Sequence, residues 1–342
     1  MKIAKYGNGR IAAVAGDRLV DLNHARAAQL RRAGQIHGAE LAAVQVPADL
    51  LDFIKAGPAA LEAAYAAVDV ALAEGPAPRA TADGPLVMDL AATPLLAPLP
   101  SLGSKLICMG RNFAGHSKAA QKANAERAAA GDPRPQMPAS AQIPKRPAGF
   151  IKFADTVVGP GEPVIYPSRT RKLDYEVEIA LIVGAQGKDI PREQALRHAF
   201  GYTVFCDYSA RDQNSDLEDM NWVRHHKNFD CAASMGPWIV TADEALDPHD
   251  VAIRTWVNGE LRQDGTTADM IYDFARIIEY YSVDQTLYPG DLFASGTCEG
   301  TGMERKDGSW FLRPGDRIEF EIPQIGRYGN PIVAKPPAGS PA

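Results

Sequence analysis

Residues 173–184 read LDYEVEIALIVG. In an extended strand successive side chains point to opposite faces, so Tyr175, Val177 and Ile179 share one face and Asp174, Glu176 and Glu178 share the other. At about 3.3 Å per residue, Glu176 and Glu178 stand roughly 7 Å apart along such a strand. Carboxylates at that spacing repel and need solvent or a cation. Taken alone, a Glu-x-Glu pair is ordinarily a solvated outer face.

A second stretch, GYTVFCDYSARDQ at 201–213, changes that weighting. A nearly all-apolar strand ends in Asp207, and polar residues at the end of a buried strand are where sites are commonly assembled. If Asp207 converges with Glu176 and Glu178, the three carry three negative charges, which in a cleft call for a divalent cation. All-oxygen ligation selects a hard ion, Mg²⁺ first, with Mn²⁺ or Ca²⁺ as alternatives. An octahedral ion with three protein ligands keeps positions open for water or substrate, as catalytic rather than structural sites do.

Outward from these stretches, residues 2–23 read as a small antiparallel meander with strands over 3–6, 10–14 and 19–22. Asn8-Gly9 and Gly16-Asp17 mark its turns. An alanine-rich stretch follows in which Leu61, Tyr65, Val68 and Leu72 recur with a helical period, and Pro47 and Gly57-Pro58 divide this region. The proline- and glycine-rich run beyond Gly75 can continue neither a helix nor a central strand, which places a domain boundary near residue 100. The expected organisation is a small N-terminal α+β domain over 1–100 and a catalytic domain over 101–342. In the second part, strands are expected over 105–109, 164–166, 175–183, 201–205, 238–241, 253–257, 292–294 and 317–322, and helices over 192–199 and 270–281. Strands that outnumber helices without alternating with them predict an α+β, mostly β fold rather than a doubly wound parallel sheet. The proline-dense stretch that follows His116 predicts a lid insertion near 117–148.

Composition narrows the function. Hydrophobic residues make up 46% and charged residues 23% of the 342, the mix of an ordinary globular protein. Lys and Arg number 36 against 42 Asp and Glu, so no basic surplus exists to neutralise a phosphate backbone or an anionic bilayer. Nucleic-acid and membrane partners are not expected. Cys108, Cys206, Cys231 and Cys298 form no Cys-x-x-Cys pair, and no uncharged apolar run approaches the length of a membrane span. The expected compartment is the cytoplasm. His225 and His226 are adjacent, so on a strand they would face opposite ways and could not share a metal. Gly296, Gly300 and Gly302 lack the strand-then-helix setting of a dinucleotide loop. Cys206 and Cys298 read as buried small hydrophobes.

Six pieces in order, KLICMGRNFAGH (105–116), LDYEVEIALIVG, GYTVFCDYSARDQ, KNFDCAASMGPWIVT (227–241), VNGELRQDGTT (257–267) and YPGDLFASGTCEGTG (288–302), resemble the fumarylacetoacetate hydrolase family. The resemblance spans roughly 104–335 and implies a mixed β-roll that pairs as a homodimer. It implies Glu176, Glu178 and Asp207 as Mg²⁺ ligands and His116 as water-activating base. Arg211 and Lys227 would meet substrate or oxyanion charge, and Arg111, Asn112, Tyr175, Gly296 and Thr297 would line the substrate. The implied substrate is a small oxo acid, and the implied reaction is hydrolysis of a carbon–carbon bond in an acylpyruvate-like compound. One position departs from the family's hydrolases, which usually carry a glutamate three residues after the histidine where this chain has Ala119. A non-hydrolytic alternative on a related 2-oxo acid, such as decarboxylation, tautomerisation, dehydration or a lyase step, needs only the metal and a proton relay. A further alternative is a catalytically weakened protein that binds metal and oxo acid. Arg211 and Lys227 also have a simpler reading as ion-pair partners of the acids.

Overall fold

The computed structural model describes residues 1–75, 77–115, 144–214, 222–305 and 307–336. Strands Lys2–Tyr6, Arg10–Ala15 and Arg18–Asp21 form the expected meander. Its first turn uses Gly7 and Gly9 at positive φ (56° and 99°) rather than an Asn8-Gly9 pair, because three residues separate Tyr6 from its partner Arg10. Asp21 ends the meander and caps the helix Leu22–Arg32 by accepting from the His24 N–H.

The helix Pro58–Ala73 starts after Gly57, with proline in its first turn where no N–H is needed. Its fully buried face is Ala60, Ala64, Ala67, Val68 and Ala71, whereas Leu61, Tyr65 and Leu72 lie half-buried at its flanks. The expected stripe was therefore displaced by part of a turn. Small side chains let this helix approach Leu22–Arg32 closely, and the larger ones seal the margins.

One large sheet runs through the molecule in the order Arg79–Thr81, Gly84–Asp89, Arg18–Asp21, Arg10–Ala15, Lys2–Tyr6, Ala233–Thr241, Ala199–Asp207, Val177–Val183, Leu292–Ala294, Leu106–Met109 and Gly149–Lys152. The strands on either side of residue 100 are joined by the antiparallel pairs Lys2 with Val240 and Ile3 with Ile239. A second sheet has the order Val164–Ile165, Gly326–Val333, Arg317–Ile322, Ala252–Val257 and Glu260–Thr266. The fold is α+β and mostly β, as expected.

The strand Val177–Val183 is buried at every residue. Its odd positions, Val177, Ile179 and Leu181, pack with Ile253, Ile318, Phe320 and the helix Phe274–Ser282. Its even positions Ala180 and Ile182 pack with Phe205, Met235 and Ile239 and, through them, with the N-terminal Ile3 and Phe53. A solvated outer face for this strand is thereby excluded. Four expectations on secondary structure need correction. The strand expected over 175–183 begins at Val177, because Leu173–Asp174 pairs separately with Ser209–Ala210 and Tyr175 and Glu176 lie between the two. Residues 192–198 form a 3-10 helix, Arg192–His198. The helix expected from 270 begins at Phe274, because the Asp273 carboxylate accepts from Arg276 N–H and caps it there. The pair His225-His226 lies on a short helix, Trp222–Lys227, not on a strand. No single helix among the described residues is long and apolar enough to cross a membrane.

Candidate active site

The strand pairing assembles the acids. Glu178 lies opposite Phe205, and the Asp207 N–H donates to the Glu176 carbonyl at 2.9 Å. Even-numbered Glu176 and Glu178 thus share a face with odd-numbered Asp207 at the ends of two central strands. Glu178 and Asp207 are 1% exposed and Glu176 6%, so water is not what screens them.

Cations from three other segments meet this face. The Lys227 ammonium, at the end of the helix Trp222–Lys227, donates to Glu176 Oε2, to Asp207 Oδ2 at 2.5 Å and to Ser209 Oγ at 2.6 Å. Lys152, the last residue of Gly149–Lys152, donates to Asp207 Oδ1 at 2.7 Å and to the carbonyls of Lys227 and Tyr208. Arg211 donates through Nε to Asp174 Oδ2 at 2.8 Å and through Nη2 to Glu176 Oε1 at 2.5 Å. The simpler ion-pair reading of Arg211 and Lys227 is therefore realised. The premise that only a divalent cation could make the acids tolerable is corrected: two lysines and an arginine compensate them.

Glu178 differs from its neighbours. Its Oε2 accepts from Gly296 N–H at 2.9 Å, and no cation among the described residues lies within ion-pair distance of it. Burial, then the charges of Asp207 and Glu176, raise its pKa well above the ordinary carboxylate range, against the pull of the Gly296 N–H and Lys227. Burial draws Lys227 down, but Asp207 and Glu176 outweigh it and leave its pKa above the lysine value. Burial, then Lys227 and Arg211, hold His226 well below the imidazole value, with Nδ1 at 2.9 Å from the Ala210 carbonyl.

The expected substrate-lining residues divide into two kinds. Gly296 sits at φ 81° with its N–H on Glu178, and a Cβ there would meet the Met109 carbonyl at 3.0 Å. Thr297 donates to the Val177 carbonyl at 2.8 Å and accepts from Gln263 Nε2 at 2.9 Å. Asn112 and Tyr175 hold backbone. The Asn112 amide donates to the Tyr272 and Ser295 carbonyls and accepts from Tyr272 N–H, and the Tyr175 hydroxyl donates to the Gly300 carbonyl at 3.1 Å. Arg111 adopts positive φ (56°) beside them. His116, and residues 117–143 of the lid expected near 117–148, lie outside the described residues. Cys206 and Cys298 are buried, and burial raises both thiols, the second to about 12.

Sequence reasoning missed Lys152, Ser209 and Gln263. The one available signal for Lys152 was a lone lysine closing the short strand GFIK.

The donor set of Glu176, Glu178 and Asp207 fits a hard dication by its chemistry, and a cation bound there would favour the charged form of Glu178 that burial disfavours. The Lys227 ammonium stands between Glu176 and Asp207, however, and among the described residues no three acid, imidazole or thiolate side chains form a metal-holding group. Metal and ammonium compete for the same oxygens.

A mixed-sheet domain whose central strands end in an interlocked set of buried acids and cations is of the enzyme class. The sequence profile of the fumarylacetoacetate hydrolase C-terminal domain matches residues 105–333. A mitochondrial oxaloacetate tautomerase of Xenopus laevis is 33% identical over 288 residues, 84% of this chain and 79% of that protein. The solved fumarylacetoacetate hydrolase of Exiguobacterium antarcticum is 30% identical with a TM-score of 0.70, over 98% of this chain and 100% of that one. A maleylpyruvate hydrolase from a Sphingobium strain is 26% identical with a TM-score of 0.67, over the same shares. The chain belongs to the fumarylacetoacetate hydrolase family, whose members include hydrolases, isomerases and tautomerases.

Proposed function

We propose that this chain is a Mg²⁺-dependent enzyme that interconverts the keto and enol forms of a small 2-oxo acid, with oxaloacetate as the first substrate to test. The observation that carries this reading is the Lys227 ammonium, buried and held by three oxygens at the point where Glu176 and Asp207 converge. Tautomerisation moves one proton off the carbon beside the oxo group and places one on the oxo oxygen. It consumes no water, and so needs no histidine–glutamate dyad of the kind that Ala119 leaves incomplete.

Glu176, Glu178 and Asp207 would hold the metal. Bound there, Mg²⁺ would supply positive charge toward the oxo and carboxylate oxygens of the substrate. With the metal on Glu176 and Asp207, the Lys227 ammonium would give up those two oxygens, keep Ser209 Oγ and serve as the proton carrier. Arg211, fixed by Asp174 and Glu176, has no acceptor for Nη1 among the described residues, and this nitrogen is offered to the substrate carboxylate. Hydrolytic cleavage of an acylpyruvate-like compound is the second reading, favoured by the likeness to the maleylpyruvate and fumarylacetoacetate hydrolases.

The test follows the absorbance of enol-oxaloacetate with Mg²⁺, with a chelator, and in Lys227→Met, alongside product masses from a panel of acylpyruvates. Metal-dependent loss of the enol signal that fails in Lys227→Met is the expected outcome. Cleavage of an acylpyruvate without catalysed tautomerisation would transfer the reading to the hydrolase. Equal rates with and without chelator would defeat both.

A further inference from the structure

Asp174 ends the two-residue strand Leu173–Asp174, two positions before Glu176, and its carboxylate is fully buried. Each of its oxygens takes two donors. Oδ1 accepts from Gly302 N–H at 2.6 Å and Tyr175 N–H at 2.9 Å; Oδ2 accepts from Arg211 Nε at 2.8 Å and Met303 N–H at 3.1 Å. Four donors converging on two oxygens require a group that only accepts, and only an ionised carboxylate does so. An amide would aim its own N–H at a guanidinium or a backbone N–H.

This arrangement joins two parts of the site. On one side is Arg211, whose Nη2 goes to Glu176 at 2.5 Å and whose plane is set by the Nε bond to Asp174. On the other is the turn at 300–304, closed on itself by Glu304 Oε2 accepting from Gly300 N–H at 2.8 Å. Gly302 packs so closely that a Cβ would stand 2.7 Å from Asp174 Oδ1.

We propose that Asp174 is a positioning residue, which sets the plane of the Arg211 guanidinium for a substrate carboxylate and seats the 302–303 turn against it. The proposal rests on Arg211 being the carboxylate receptor, as argued above. Asp174 itself touches no substrate. Its loss acts on how well a carboxylate is held rather than on the proton transfer.

The experiment measures pyruvate binding by calorimetry in the presence of Mg²⁺, together with KM and kcat on oxaloacetate, in wild type, Asp174→Asn, Gly302→Ala, Arg211→Lys and the Asp174→Asn/Arg211→Lys double variant. Gly302→Ala displaces the carboxylate from the turn side without altering its charge, and provides the reading if the amide variant folds poorly. Asp174→Asn and Gly302→Ala are each expected to raise KM and the pyruvate Kd about tenfold, with kcat within about threefold of wild type. In the Arg211→Lys background the Asp174→Asn change should add nothing, because the group it acts through is gone. A lowered melting temperature with unchanged KM and Kd, while Arg211→Lys raises both, would overturn the positioning role and leave the receptor reading standing. Unchanged KM and Kd in Arg211→Lys would overturn the receptor reading and this proposal with it.

Discussion

Replacing Lys152 with Met removes one cation from the acid cluster while keeping side-chain length. The ammonium is wholly buried, and its donors go to Asp207 Oδ1 at 2.7 Å, the Lys227 carbonyl at 2.5 Å and the Tyr208 carbonyl at 3.5 Å. Breaking a buried ion pair from one side commonly costs about 3–5 kcal/mol, because the remaining partner stays charged and unsatisfied. Asp207 would keep Lys227 on its other oxygen at 2.5 Å, which places the loss at the lower end, about 3 kcal/mol. At about 2 °C per kcal/mol for a large domain, the melting temperature should fall by roughly 6 °C. Denaturant unfolding and a thermal scan measure both quantities. The Lys152→Met/Asp207→Asn double variant should cost less than the two single changes summed, since they share one interaction, while Lys227 loses a carboxylate in both variants that carry Asp207→Asn. A single variant within about 1 kcal/mol of wild type would refute the view that Lys152 neutralises Asp207, since the loss of any real buried partner exceeds that.

The remaining predictions concern other parts of the molecule. His226 stays neutral in the fold, whereas an unfolded imidazole titrates near pH 6.5, at about that value taking up a proton the native state refuses. Stability should be full above that pH and decline as pH falls below it, and His226→Gln should flatten the decline; equal slopes between pH 5.5 and 7.5 in the two proteins would contradict this. Asp207→Asn should lower Mg²⁺-dependent turnover by about 100-fold or more with its circular dichroism spectrum retained, and chelation should do the same to wild type. Activity near wild type in either case would argue against Asp207 as a ligand. Ala64→Leu would force a larger side chain into the buried face of Pro58–Ala73 and should cost about 1–3 kcal/mol in denaturant unfolding. An unchanged midpoint would mean that this helix face is looser than its burial indicates.

Much of this site is legible in the sequence. Period-two alternation in 173–184 placed Glu176 and Glu178 together, and the apolar strand that runs into Asp207 brought the third acid to them. What alternation could not convey is that both faces of that strand are covered. The period is the same whether the acids face water or another layer, and only the packing of the N-terminal Ile3 and Phe53 behind Phe205 and Met235 decides it. Lys152 was hidden for a similar reason: in sequence it is one lysine among apolar neighbours, and its burial depends on Asp207, which lies 55 positions away. The strands Glu260–Thr266 and Gly326–Val333 were obscured by composition, since glycine and, in the second, Pro331 weaken the strand signal. At 270–273 the apolar pattern continued past the point where Asp273 caps the helix. There a local hydrogen bond overrode the periodicity.

The pairing of Lys2 and Ile3 with Val240 and Ile239 bears on how the chain can be cut. A fragment that begins near residue 100 would keep Val157–Val158 on Ala233 and Ser234 but bare the margin of Ala233–Thr241 around Ile239 and Val240, leaving its outward amides and carbonyls as a template for any strand that meets them. Such a truncation should sediment as clusters and recover its single form when residues 1–99 are supplied as a separate peptide. The opening segment of this protein would then be as much a guard against self-association as a part of the scaffold behind the acids.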